Sequence, residues 1–107
     1  MKFKSQKHEN RYNEILSKMK NKDCYHRALA YLLALDDNIT NSRLNDCFNF
    51  KDDCIKPVDE PWVTGFDRRV LMLAFHLWNS VNAVNLDDVF GYCDNEYLLE
   101  AIKIRYN

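Results

Sequence analysis

Residues 24–35 read Cys-Tyr-His-Arg-Ala-Leu-Ala-Tyr-Leu-Leu-Ala-Leu, and the last eight of them form the longest apolar-rich stretch of the chain. At helical spacing their apolar side chains cover most of the circumference, and only Arg27 and two alanines leave a narrow face without a large apolar group. A helix that is apolar nearly all round is typical of the centre of a core. Asp23 can cap its start, and the Asp36-Asp37-Asn38 run favours a turn at its end. The sequence therefore predicts a central helix over residues 24–35.

Two longer helices are predicted on either side of this segment. The first covers residues 6–20, with Ser5 as its N-cap. Its inward stripe consists of His8, Tyr12, Ile15, Leu16 and Met19. The second covers residues 65–81 and begins at a capping box formed by Thr64 and Asp67. Its inward face consists of Phe66, Val70, Leu73, Ala74, Leu77, Trp78 and Val81.

The rest of the chain is less regular. Shorter helices are predicted over residues 42–48, 86–90 and, capped by Asp94, 95–106. Residues 49–63 contain both prolines and read as a loop, with one extended piece at residues 54–56. We therefore expect an all-α fold, a compact single-domain bundle of about five helices with an irregular loop near residues 49–63. The helices at 24–35 and 65–81 are expected to cross in the core.

Length and composition agree with this expectation. The chain has 107 residues, of which 47% are hydrophobic and 13% aromatic, so it has material for one core and is not typical of a disordered chain. The cysteines, Cys24, Cys47, Cys54 and Cys93, form no C-x-x-C pair, and no signal peptide precedes them. These features favour a reducing cytoplasm, with the thiols as small buried groups. No segment approaches the roughly 20 apolar residues of a membrane span, so we expect no membrane partner.

The sequence shows no signature of an enzyme or of a bound cofactor. It contains no G-x-S-x-G, P-loop, H-E-x-x-H or G-x-G-x-x-G motif. Cys24 and His26 are close in sequence, but a separation of two places them about 200° apart on a helix, where they cannot share one metal ion. Nothing in the sequence brings Cys54 and His76 together as a catalytic pair. We therefore predict no enzymatic activity, no metal and no cofactor.

Charge is unevenly distributed although the net charge is only −1. Residues 1–27 are locally basic, and a stripe on the first helix consists of Lys7, Arg11, Lys18 and Lys22. A protein that uses such a stripe can neutralise phosphates of nucleic acid. Residues 36–60 are locally acidic and include Asp52, Asp53, Asp59 and Glu60. An acidic surface of this kind can imitate nucleic acid towards a basic groove.

The helix at residues 65–81 carries a different candidate surface on the side away from its apolar face. This surface consists of Arg68, Met72, Phe75, His76 and Asn79. Arginine, methionine and aromatic residues are enriched at protein–protein interfaces. The alternative interpretation is that a neighbouring helix covers this side.

Four segments of the sequence are also similar to segments of a known protein family. They are Phe3-x-Ser5-x-x-His8-x-x-Arg11-Tyr12, the segment Ala28–Leu35, Cys54-Ile55-Lys56 with Trp62-x-Thr64-Gly65 and Leu73–Asn79, and the ending Ala101–Tyr106. Together they resemble a family of small, functionally uncharacterised proteins of phages and prophages in low-GC Gram-positive bacteria. The resemblance implies a protein of a mobile element that acts in the bacterial cytoplasm. It transfers no catalytic or binding residue, because the shared motifs are helix caps and core positions.

These observations lead to one functional hypothesis and two alternatives. The first is a non-enzymatic protein that binds a host or phage protein, and by analogy an anti-defence inhibitor of the kind that blocks CRISPR effectors. The second is a small regulator that binds nucleic acid through its basic first helix. The third is a structural or assembly subunit, in the simplest case a homodimer.

Overall fold

The computed structural model describes residues 1–80, 82–92 and 94–107. The elements in chain order are α1 (Gln6–Ser17), α2 (Cys24–Leu35), α3 (Asn41–Cys47), β1 (Phe48–Asn49), β2 (Cys54–Ile55), α4 (Gly65–Trp78), α5 (Leu86–Phe90) and α6 (Glu96–Tyr106). The two short strands pair antiparallel, with Phe48 opposite Ile55. The predicted all-α single domain is confirmed.

Helix α2 forms the centre of the molecule. It packs against α1, α4 and α6, and no residue from Ala28 to Leu35 is more than 4% exposed. Complete burial is the outcome expected for a helix whose side chains are apolar on every face. Because Ala30 and Ala34 are also buried, the narrow small-residue face allows a neighbouring element to approach α2 closely. Helices α2 and α4 also pack against each other in the core.

The predicted starts of α1, α2 and α4 are formed as expected. The Ser5 hydroxyl accepts a hydrogen bond from the His8 N–H at 3.1 Å, and the Asp23 carboxylate accepts one from the His26 N–H at 3.0 Å. At the start of α4, the Asp67 carboxylate accepts from the Thr64 N–H at 3.1 Å. Each of these bonds satisfies a backbone donor that the first turn of a helix leaves without a partner.

Several helix boundaries differ from the sequence prediction, and α3 covers Asn41–Cys47 instead of the predicted residues 42–48. Helix α1 ends at Ser17 because the N–H groups of Lys18 and Met19 bond to carbonyls three residues back, in the tighter geometry of a helix end. Helix α6 begins after Asn95 rather than after Asp94, because Asp94 has a φ of 71° and so lies in the left-handed region. Helix α4 ends at Trp78, and the predicted inward position of Val81 lies outside the described residues.

Two burial predictions were wrong. Phe66 is 38% exposed, because it lies in the first turn of α4, where its ring packs against the Arg69 guanidinium 5.7 Å away. The cysteines are not uniformly buried: Cys47 is buried, Cys24 is half-buried and Cys54 is exposed on the β-hairpin. Cys93 lies outside the described residues. Phe48, in contrast, is buried and anchors the hairpin to the core.

Candidate functional site

The residues predicted as an interaction patch lie on one strip along the outer side of α4. Their spacing of four, three, one and three residues places them on the same face of the helix. Arg68 is exposed, and the other four are half-buried. We call this strip the α4 surface; it consists of Arg68, Met72, Phe75, His76 and Asn79.

A surface depression lies at each end of the α4 surface. The first has a volume of about 530 Å³ and is lined by Gly65, Arg68, Arg69, Met72, Asp88 and Tyr92. The second has a volume of about 420 Å³ and is lined by Ile55, Pro57, Val58, Phe75, Asn79 and Asn82. The strip therefore continues into two concave regions, one formed with α5 and one formed with the loop that follows the hairpin.

The first depression has a rigid polar wall. Arg69 donates to the Val89 carbonyl at 2.8 Å and to the Asn95 side-chain oxygen at 2.8 Å. The same guanidinium lies 4.7 Å from the centre of the Tyr92 ring, and Tyr92 is 62% exposed. Arg69 thus supports an aromatic ring that faces solvent.

The polar groups at the other end of the α4 surface bond to the backbone. His76 donates from Nδ1 to the Asn82 carbonyl at 2.7 Å, and the Asn79 side-chain oxygen accepts from the Asn82 N–H at 3.2 Å. Within the described residues, His76 forms no hydrogen bond with a cysteine or a carboxylate. Its role here is to hold the turn after α4.

The predicted acidic surface does not act as one unit. Asp53 is half-buried, and its carboxylate accepts a hydrogen bond from His26 Nε2 at 2.8 Å. Asp52 is exposed and accepts from the Asn49 side chain at 2.9 Å. Asp59 and Glu60 are exposed in the loop before α4. Asp53 is therefore part of an internal contact, whereas the other three remain on the surface.

The four residues of the predicted basic stripe also differ in their contacts. Two of them bond to backbone carbonyls. Arg11 points towards the end of α2, where it donates to the carbonyls of Ala34, Asp36 and Ile39. Lys22, which follows α1, donates to the carbonyls of Leu16 and Met19 at 3.1 and 3.3 Å. These two cations stabilise helix ends.

The other two basic residues of the stripe form exposed ion pairs. Lys7 lies 3.4 Å from the Asp37 carboxylate, and Lys18 lies 3.7 Å from Glu14 one turn away on α1. Exposed pairs of this kind are weak and are screened by salt. Of the four, only Arg11 is half-buried; Lys7, Lys18 and Lys22 are exposed.

The role of His26 is not apparent from the sequence. Its ring is buried, donates from Nε2 to Asp53 and from Nδ1 to Asp23 at 2.7 Å, and packs edge-on against Trp78 at 4.7 Å. Burial lowers the pKa of His26, but the hydrogen bonds and charges of the two aspartates outweigh burial and raise it above its usual value. The charged imidazolium therefore connects the start of α2 to the hairpin.

We expect the stability contributed by this contact to decline as pH rises. A histidine whose pKa is raised by folding stabilises the fold fully below its unfolded pKa of about 6.5, and this contribution is lost as pH rises through the folded pKa. Asp53→Asn should remove about 1 kcal/mol of this pH-dependent stability. Asparagine also tolerates the φ of 55° at this position.

Urea unfolding of both proteins at about pH 6 and about pH 8.5 measures the difference. The difference in free energy of unfolding between the wild type and Asp53→Asn should be larger at the lower pH. An equal difference in free energy of unfolding at both pH values would contradict a charged His26.

His8 is a second buried histidine, and it is uncharged. Nδ1 accepts a hydrogen bond from the Lys4 N–H at 3.0 Å, and Nε2 therefore carries the proton that is donated to the Tyr31 carbonyl at 3.0 Å. Burial lowers the pKa of His8 and keeps the neutral form. The ring packs against Phe3 and Tyr31 in an aromatic cluster, so His8 has a structural role.

The described part of the chain shows no group of three or more His, Cys, Asp or Glu side chains arranged to hold a metal ion. Among the helices described, none combines the length and the apolar character needed to cross a bilayer.

One family profile matches the chain, and it covers residues 1–107. No curated protein and no solved structure matches. Because the match extends over the whole sequence, the chain belongs to DUF6075, a family of unknown function.

Proposed function

We propose that this protein is a non-enzymatic binding protein that recognises another protein through the α4 surface. The observation that carries the proposal is the continuous strip of Arg68, Met72, Phe75, His76 and Asn79, which borders a depression at each end. Interfaces are enriched in arginine, methionine and aromatic side chains, and their strongest contacts centre on pockets.

The rigid setting of Tyr92 supports this proposal. Exposed tyrosines that are already held in place bind with a small loss of conformational freedom. Tyr92 lies over Arg69, and Arg69 is fixed by two hydrogen bonds of its own. We therefore place the anchor of the interface in the depression between α4 and α5.

The resemblance to phage and prophage proteins guides the choice of partner. On that basis we propose a host or phage protein of the bacterial cytoplasm, and as the specific form of the proposal a component of a defence system. Asp59 and Glu60 are exposed, in the loop whose residues Pro57 and Val58 line the second depression. Their charge favours a partner with a basic surface at that end, since complementary potentials accelerate association.

The experiment is an affinity capture from bacterial lysate with three baits: the wild type, Tyr92→Ala and Tyr106→Ala. The two tyrosines are matched, because each is 62% exposed and each ring lies beside an arginine, at 4.7 Å for Tyr92 and 4.6 Å for Tyr106. Loss of an interface anchor weakens binding by about 10-fold or more. We expect Tyr92→Ala, and not Tyr106→Ala, to lose the partner that the wild type captures.

Two outcomes would contradict the proposal. One is equal capture by all three baits, and the other is capture of no protein by any of them. A self-associating protein would instead show a concentration-dependent mass in sedimentation that Tyr92→Ala abolishes, which would replace the host or phage partner with a second copy of the chain.

The nucleic-acid alternative has less structural support. Arg11 and Lys22 bond to backbone carbonyls, and the exposed Lys7 and Lys18 each pair with an acidic side chain. Two exposed lysines give a weak, strongly salt-dependent attraction to phosphates. Binding of mixed duplex and single-stranded DNA at micromolar protein and about 50 mM salt would favour this alternative.

A further inference from the structure

Two aspartates meet inside the protein where the end of α2 approaches the start of α4. Asp36 and Asp67 are each only 4% exposed, and Asn38 joins them, because its N–H donates to the Asp36 carboxyl at 2.9 Å and its side-chain amide donates to the Asp67 carboxyl at 2.7 Å. Asp36 follows the end of α2, and Asp67 lies in the first turn of α4. Each carboxyl also accepts a hydrogen bond from a backbone N–H near its own helix end. Two adjacent carboxylates that are both ionised repel strongly in a buried site.

The hydrogen bonds of the pair are unequal. The Asp67 carboxylate accepts from the Thr64 N–H at 3.1 Å and from the Asn38 side-chain amide at 2.7 Å. One oxygen of Asp36, Oδ1, accepts from the Asn38 N–H at 2.9 Å. The other oxygen, Oδ2, is buried and receives no hydrogen bond. A buried oxygen without a donor is costly, unless the oxygen itself carries a proton and becomes the donor.

The nearest cation on the α1 side does not neutralise this charge. Arg11 faces the end of α2, but it donates to the backbone carbonyls of Ala34, Asp36 and Ile39 and not to the Asp36 carboxylate. Asp37, the next residue, is exposed and adds a further negative charge.

The α3 side offers a cation to Asp67 but not to Asp36. Arg43 donates to the backbone and side-chain oxygens of Asn38, at 2.9 and 2.8 Å, and its charge favours the ionised form of Asp67. Burial raises the pKa of the Cys47 thiol at the end of α3 to about 12, so it remains uncharged. No described side chain therefore supplies a positive charge to the Asp36 carboxyl.

We propose that Asp36 holds a proton and donates it in a hydrogen bond to Asp67, so that the pair forms a proton-dependent latch between the α2–α3 turn and the loop before α4. The proton supplies the partner that the buried Oδ2 lacks. It also leaves one negative charge on the pair instead of two. The asymmetry of the donors decides which residue keeps the proton, because Asp67 accepts from Thr64 and Asn38.

The titration properties agree with this geometry. Burial, assisted by the adjacent Asp67, raises the pKa of Asp36 to about 7. Burial also acts to raise the pKa of Asp67, but its hydrogen bonds from Asp36, Thr64 and Asn38 and the charge of Arg43 outweigh burial and lower it. A carboxyl whose pKa is raised by folding stabilises the fold fully below about pH 4, and this contribution declines as pH rises towards the folded value.

The latch has a structural consequence near neutral pH. Loss of the proton leaves two adjacent buried negative charges and weakens the attachment of the loop before α4. Pro57 and Val58 of that loop line one depression beside the α4 surface. The latch therefore makes the anchoring of this loop sensitive to pH, and this inference does not depend on the identity of a partner.

The direct test is an NMR titration of the side-chain carboxyl carbons in the wild-type protein. We expect the Asp36 signal to titrate with a midpoint above about pH 6, well above the value of about 4 of an unperturbed aspartate. An Asp36 midpoint below about pH 5 would overturn the proposal. This test requires no variant and so does not depend on the folding of one.

Hydrogen exchange then tests the latch itself. After correction for the intrinsic pH dependence of exchange, the Val63 and Thr64 amides of the wild type should exchange about 10-fold faster at about pH 8 than at about pH 5. Asp36→Asn should abolish this change, because the asparagine amide donates the same hydrogen bond and does not titrate. Asp59→Asn, in the same loop, should retain the wild-type change. No change in the wild type, or an unaltered change in Asp36→Asn, would contradict the latch.

Discussion

We expect Leu32→Ala to lower the free energy of unfolding by about 3–4 kcal/mol. Leu32 is fully buried in α2, and α2 packs against α1, α4 and α6. Truncation therefore leaves a cavity at the point where several elements meet and cannot easily relax into it. Domains of this size have about 5–15 kcal/mol of total stability, so this one change removes a large part of it. Urea unfolding followed by tryptophan fluorescence measures the loss.

Leu99→Ala is the matched control for this prediction. Leu99 lies on α6 and is 50% exposed, so the same substitution removes few contacts. We expect a change below about 0.5 kcal/mol. A similar loss for both leucines would contradict the central position of α2.

We expect Arg11→Ala to lower the free energy of unfolding by about 2–4 kcal/mol, because hydrogen bonds from a charged donor to partly buried carbonyls are strong. The Arg11 guanidinium donates to the carbonyls of Ala34, Asp36 and Ile39. The last carbonyls of a helix have no donor within the helix, and the helix dipole favours a cation at that end. Arg11→Lys should recover only part of the loss, since an ammonium lacks the planar fork of donors.

Lys18→Ala is the control on the same helix. Lys18 forms only an exposed pair with Glu14, and such a pair contributes about 0.5 kcal/mol or less. Equal losses for Arg11→Ala and Lys18→Ala would show that the contacts of Arg11 add nothing to the fold. Unchanged stability of Arg11→Ala with loss of nucleic-acid binding would instead favour the interpretation of α1 as a basic binding stripe.

The fold could be predicted because its determinants are local. The apolar run of residues 28–35 identifies a central helix without any knowledge of its neighbours. Ser5, Asp23 and Asp67 mark helix starts, since capping bonds join residues only three positions apart. The boundary at Asp94 could not be predicted, because its left-handed conformation depends on how the chain turns between α5 and α6.

The buried polar contacts could not be predicted, because they join residues that are far apart in the sequence. His26 and Asp53 are 27 residues apart in the chain, and Asp53 was assigned to an acidic surface. Asp36 was interpreted as a helix stop and Asp67 as a helix cap. Both local roles are correct, but no periodicity indicates that the two carboxyl groups meet.

The candidate binding surface could be predicted only in part. Helical spacing was sufficient to place Arg68, Met72 and His76 on the side of α4 away from its apolar face. The depressions at each end depend on the positions of α5 and of the loop at residues 55–58, which the sequence does not determine locally. The role of Tyr92 could have been suspected only from the arginine-rich start of α4.

The central claim is that α4 presents its outer face to a protein partner. Hydrogen–deuterium exchange of the protein, alone and in complex with the partner captured by the wild type, tests this claim most directly. We predict that protection on binding concentrates in residues 65–79, with further protection at residues 55–58. Protection confined to α1, with the exchange of α4 unchanged, would contradict it.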